Sequence, residues 1–225
     1  MRANRPVRER SKAPLKTAPF RNRLVVMVKT PRAGAVKTRL AREIGSARAT
    51  SFYRHTMAAV LSRLTVGGNW QTILDISPDG DSDRPIWSRR LARLRQGSGD
   101  IGVRMQRAFR HAPPGPMVLI GSDIPAIRAH HIRAAFKMLG RADAVFGPAT
   151  DGGYWLVGMK RRPKLLNPFN HIRWSSDHAL ADTLRNLADK SIATVETLRD
   201  VDDARDFNAA RGWFGRRVLP TSAGT

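Results

Sequence analysis

Residues 24–28 read LVVMV, five apolar positions in a row, and the run ends at Lys29 with a proline two residues on. A strand that is apolar on both faces must be covered on both, so it belongs inside a sheet flanked by helices. Similar runs follow in MVLIGSD (117–123), ADAVFGP (142–148) and YWLVGMK (154–160), and WQTILDIS (70–77) is a further strand. Between them lie segments of helical period. Leu40, Ile44, Ala47, Phe52, Met57, Val60 and Leu64 fit one long helix or a helix pair, stopped at Gly67-Gly68-Asn69. More helices are expected from GDIGVRMQRAFRHA, over 129–139, over 176–188 and from about 203, with a strand near 192–196. Strands alternating with helices predict an α/β fold with a mostly parallel sheet covered on both faces. In such a sheet the ligand lies at the carboxyl ends of the strands, so the loops that follow strands carry the chemistry.

The chain has 225 residues, which one core can serve. The expected organisation is a basic N-terminal extension (1–22), a single domain (23–215) and a C-terminal tail (216–225). Forty Lys and Arg against eighteen Asp and Glu give a net charge of +22, and residues 1–23 alone hold eight basic residues and one acid. Such a field draws nucleotides, phosphorylated metabolites or nucleic acid without choosing among them. With no cysteine, disulfides and thiolate chemistry are excluded. No apolar run approaches the ~18 residues of a membrane span, and a cytoplasmic location is expected.

Five loops stand out. The first, KTPRAGAVKTR (29–39), concentrates cations before a helix, a pattern suited to phosphate oxygens. It lacks the second glycine of a Walker loop and is not the G-x-G-x-x-G of dinucleotide-binding folds. In the second, Asp123 ends an apolar strand, where a carboxylate holds a divalent metal or caps a turn. The third, GPATDGGYWLVG (147–158), is a hairpin or a substrate loop. The fourth, LRDVDDARDF (198–207), gathers four aspartates. The fifth, GSGDIGVRM (97–105), offers glycines that accommodate a base or ribose. FNHIRWSS (169–176) adds aromatic and hydroxyl groups. The six histidines show no zinc-ligand spacing, and His130 and His131 are expected on different helix faces.

Taken in order, VKTPRAGAVKTRLA, GDIGVRM, GSDIP, GPATDGGYWLVG, HIRWSS and DVDDARDF resemble a bacterial family of nucleotide-diphospho-sugar transferase-like proteins. Its members are described as glycosyltransferases, some of them in arsenosugar biosynthesis. The first loop is also similar to that of 2-phospholactate guanylyltransferases. The resemblance implies a GT-A fold and a metal-dependent transferase using Mg²⁺ or Mn²⁺. Lys29, Gly34, Lys37, Arg39, Gly99 and Asp100 would face the nucleotide, and Asp123 and Asp202 would hold the metal. Asp151, Gly152, Gly153, Tyr154, Trp174 and Ser175 would line the sugar or acceptor side. Lys37, Arg39 and Asp123 would carry the catalytic charge. Val103 stands where an acid is expected and Ser176 where a threonine is, and Ser122-Asp123 lacks the first carboxylate of D-x-D. Three functions stay open: glycosyl transfer from a nucleotide sugar to a small-molecule acceptor, nucleotidyl transfer from a nucleoside triphosphate to a phosphorylated small molecule, and nucleic-acid binding.

Overall fold

The computed structural model describes residues 21–162 and 164–210; residues 1–20 and 211–225, where the basic extension and the tail are expected, lie outside the described residues. The apolar runs form the central strands β1 (Arg23–Lys29), β2 (Gln71–Ser77), β4 (Met117–Ile120), β5 (Ala144–Pro148) and β6 (Tyr154–Met159). With β3 (Ala92–Arg95) and β7 (Ile192–Thr194) they make a seven-stranded sheet in the order β3-β2-β1-β4-β6-β5-β7. Strand β6 runs antiparallel to both neighbours and all other pairings are parallel. The reversal comes from the short β5–β6 hairpin, since a parallel return would need a crossover.

Alternation along each strand divides the core. Leu24, Val26, Val28, Leu74, Ile76, Val118 and Ile120 face helices α2 (Ser46–Leu64) and α4 (Ala129–Leu139). Val25, Ile73, Leu119, Phe146 and Val157 face α3 (Ile101–His111), with Leu180 and Leu184 of α5 (Ala179–Arg185) packed on the same side. A third cluster joins α1 (Thr38–Ile44) and α2 to α6 (Ala204–Ala210) through Leu40, Phe52 and Phe207. The last helix thereby brings the acidic segment before it back against the first loop.

Four details depart from the sequence reading or resolve it. The periodic segment after the first loop is a helix pair, broken at Gly45, whose φ of 83° lies in the left-handed region. Edge strand β3, with the sequence ARLR, has no apolar run and was not expected; an edge strand faces solvent along one side and needs none. Helix α5 starts at Ala179 because Ser176 closes a turn before it, donating to the Arg173 carbonyl at 2.7 Å and accepting from the His178 N–H at 3.2 Å. His130 and His131 have ring centroids 4.0 Å apart, so the pair converges where different faces were expected.

Gly158 sits in β6 between β4 and β5, where a Cβ would lie 2.7 Å from Val145 Cγ1 and 3.1 Å from both Leu139 Cδ1 and Val118 Cγ2. Gly158→Ala is expected to cost about 1–3 kcal/mol by overpacking, read from the denaturation midpoint.

Candidate active site

The ends of β1, β2 and β4 and the start of α3 enclose a cleft of about 570 Å³. At its centre stands Lys37. Its backbone has φ 46° and ψ 50°, a left-handed conformation disfavoured for any residue with a Cβ. Its ammonium lies 2.9 Å from Asp123, 2.8 Å from Asp200 and 3.2 Å from Asp202, and its side chain is only 6% exposed. Burial by itself would lower the pKa of Lys37, but the three carboxylates outweigh it and hold the ammonium charged. Burial, followed by the charge of Asp123, pushes Asp200 well above the usual carboxylate range, with Lys37 opposing. Three carboxylates against one ammonium leave a formal surplus of two negative charges.

The first loop thus differs from a simple phosphate clamp. Arg32 is paired with Asp81 at 2.7 Å, which pins the loop to the turn after β2, and Lys37 is enclosed by acids. Lys29 and Arg39 remain on the cleft wall, Arg39 with a long contact of 3.4 Å to Asp202. Arg104 of α3 joins them. Gly34, Gly99 and Asp100 do not line the cleft: the Asp100 carboxylate instead caps α3 by accepting from the Val103 N–H at 2.8 Å. That use of Asp100 was open to the sequence, since an aspartate opening a helix is capping chemistry.

Two positioning residues carry no sequence signal. Tyr53, on the buried face of α2, accepts from the Lys29 N–H at 2.8 Å and bonds the Ser122 hydroxyl at 3.1 Å. Burial pushes its pKa up to about 12, so the phenol stays protonated. It ties the loop after β1 to the strand end that presents Asp123. Gln96, following β3, donates its amide to the carbonyls of Val28 at 3.2 Å and Asp75 at 2.8 Å on the cleft floor.

A smaller compartment of about 220 Å³ adjoins the cleft, sharing Asp123, Asp151 and Ser175 with it. Asp151 accepts from the Gly153 N–H at 3.0 Å. Gly152 does not line the compartment; its φ is 83° and a Cβ there would lie 2.2 Å from the Asp177 carbonyl oxygen, so no side chain fits. Gly153, Tyr154, Trp174 and Ser175 all line it. Trp174 is held in place because Arg173 donates its backbone N–H and its guanidinium to buried Asp182, at 2.8 to 3.2 Å. Those hydrogen bonds hold Asp182 well below the usual carboxylate range.

Among the described residues His130, His131 and Glu196 also bring ligand atoms together. They do not make a ready metal site. His131 Nδ1 accepts from the Arg128 N–H at 3.0 Å, so Nε2 carries the hydrogen of the neutral ring and gives it to Glu196 at 3.1 Å. Both ring nitrogens are occupied, and burial lowers the histidine's pKa and favours that neutral form. Asp123, Asp200 and Asp202 offer the hard oxygen donors that Mg²⁺ or Mn²⁺ prefers.

A profile for a family described as "Uncharacterized protein conserved in bacteria (DUF2064)" matches residues 60–176. Among solved structures, a protein from Desulfovibrio desulfuricans G20, provisionally assigned as a nucleotide-diphospho-sugar transferase, superposes with a TM-score of 0.79 at 28% identity, over 91% of this chain and 92% of its own. The 4-diphosphocytidyl-2C-methyl-D-erythritol synthase of Anaerococcus prevotii DSM 20548 gives 0.57 at 10% identity, over 88% and 99%. A cytidylyltransferase from Leptospira borgpetersenii gives 0.53 at 12%, over 84% of each chain. The last two likenesses are of fold alone. No curated protein matches the sequence.

Tyr53→Phe leaves the Lys29 N–H without its acceptor and is expected to cost about 1–3 kcal/mol in chemical denaturation. Asp182 has a depressed folded-state pKa, so its contribution is present above its unfolded value of about 4 and is lost as pH falls further. Asp182→Asn should therefore lower the melting temperature at neutral pH, with the gap from wild type closing in acid.

Proposed function

The chain belongs to the DUF2064 family of bacterial proteins, and from that premise we propose that it is a metal-dependent transferase acting on a nucleotide-activated substrate, a glycosyltransferase using a nucleotide-diphospho-sugar. The observation that carries this reading is the cluster around Lys37. Three aspartates from two distant segments meet at the strand ends with more negative charge than one ammonium balances, and Arg39 adds only a long contact of 3.4 Å to Asp202. Asp123, Asp200 and Asp202 would hold Mg²⁺ or Mn²⁺. Bound there, a divalent ion supplies positive charge against the oxygens of a departing diphosphate.

The chain's own groups do the rest. Lys29, Arg39 and Arg104 line the cleft and bring their charges to the phosphate oxygens. Lys37 keeps the carboxylates converged. Tyr53 and Gln96 tie the backbone of the cleft floor in place, so the site is built before substrate arrives. The likeness to the D. desulfuricans protein, extending over nine-tenths of both chains, supports sugar transfer. Nucleotidyl transfer is the second reading. It is favoured by the three cations on the cleft wall, which suit a triphosphate.

Thermal unfolding with nucleotide sugars and nucleoside triphosphates, with and without Mg²⁺ or Mn²⁺, tests the proposal. A nucleotide sugar at a hundredfold its dissociation constant should raise the melting temperature by about 5–10 °C, in a metal-dependent way. Asp123→Asn should abolish the metal-dependent part. A response confined to triphosphates would favour nucleotidyl transfer, and no response to either class would overturn both.

A further inference from the structure

The cleft and the compartment beside it differ sharply in charge. The cleft is lined by Lys29, Lys37, Arg39 and Arg104 as well as by carboxylates. Among the described residues the compartment is lined by no lysine, arginine or histidine, although the chain carries a net charge of +22. Its walls hold three aromatic rings, Tyr154, Trp155 and Trp174, and three carboxylates, Asp123, Asp151 and Asp200. Asp123 and Asp200 spend their charge on Lys37 at the shared boundary. Asp151 forms no salt bridge among the described residues, and its Oδ1 is oriented by the Gly153 N–H.

We infer that this compartment takes the second substrate, and that this substrate is an uncharged, hydroxyl-bearing ring rather than a phosphate ester. The inference rests on the transferase reading above and concerns its acceptor side. A phosphate ester is a dianion near neutral pH and needs cations or clustered N–H donors. Asp123 and Asp200 are engaged at the boundary with the cleft, so a phosphate ester would meet the unpaired charge of Asp151 and, among the described lining residues, no basic side chain to replace its lost water. A neutral ring meets no such penalty. Its C–H face packs on the indole of Trp174, and its hydroxyls donate to Asp151, a charge-assisted hydrogen bond. At about 220 Å³ the space is below the ~300–1,000 Å³ of a drug-sized site, which limits it to one small ring.

The aromatic walls are packed against neighbouring elements. Trp174 packs against Gly102 of α3, where a Cβ would lie 2.6 Å from its Cζ2. Tyr154 stands edge-on to Trp174 at 6.4 Å and to Phe146 at 5.3 Å. Ser175, at φ 60°, is held on the boundary with the cleft by the same Arg173–Asp182 anchor.

Trp155 and Trp174 supply a readout that needs no turnover. The wild-type protein is titrated with methyl glucoside, N-acetylglucosamine and myo-inositol, each against its monophosphate, following tryptophan fluorescence with nucleoside diphosphate and Mg²⁺ present. Trp174→Phe assigns the signal. At least one neutral ring should bind tenfold or more tighter than its phosphate. Asp151→Asn should weaken the neutral ring about tenfold, and Asp151→Lys should invert the preference toward the phosphate. Asp151 is exposed, so both variants should fold, as their melting temperatures will show. Equal or tighter binding of the phosphate esters by wild type, or silence of both classes in protein that nucleotide stabilises, overturns the inference. Absence of nucleotide stabilisation in the same samples would instead count against the transferase reading.

Discussion

One buried ammonium holds the functional end of this molecule together. Lys37 reaches Asp123 at the end of the central strand and Asp200 and Asp202 in the segment before the last helix, 163 and 165 residues along the chain. Removing such a cation would leave three partly exposed carboxylates facing one another without the charge that draws them together, and their repulsion would open this end of the cleft. The left-handed backbone of Lys37 belongs to the same constraint. A residue with a Cβ holds that conformation where the surroundings over-determine it, and three ion pairs do so here.

The sheet serves this cluster by aligning strand ends. β1, β2 and β4 run parallel with β1 in the middle, so the loops after β1 and β4 and the residues closing β2 share one edge of the sheet. The antiparallel β6 then brings the glycine-rich turn to the same edge, since a strand running the other way starts where its neighbours finish. A cleft with both signs of charge and an aromatic compartment with no basic side chain among its described lining residues come to lie side by side, sharing Asp123.

Much of this was legible along the chain. The five central strands announced themselves by short runs rich in apolar and β-branched residues, as a strand covered on both faces requires, even though β2 carries the buried Asp75. Asp123 was legible because it stops an apolar run where a strand must end, and Asp151 because an Asp-Gly pair between two strands is turn chemistry. Other residues were silent. Tyr53 lies among the core-facing positions of a helix, and nothing local tells a packed ring from one whose hydroxyl joins two loops. Gln96 follows an arginine-rich edge strand with no pattern of its own. The family resemblance puts Asp100 at the nucleotide, whereas in the fold its carboxylate completes a helix end.

The α/β architecture and the strand-end loops follow from the order of residues alone, because periodicity and turn chemistry are local properties that each segment carries with it. How the charges are shared out depends on packing. In the first loop, Arg32 is committed to Asp81 and Lys37 to three aspartates, while Lys29 and Arg39 are left on the cleft wall. Their chemistry is nearly the same in sequence. What separates them is burial and the carboxylates that come within 4 Å, and both arise when distant segments pack.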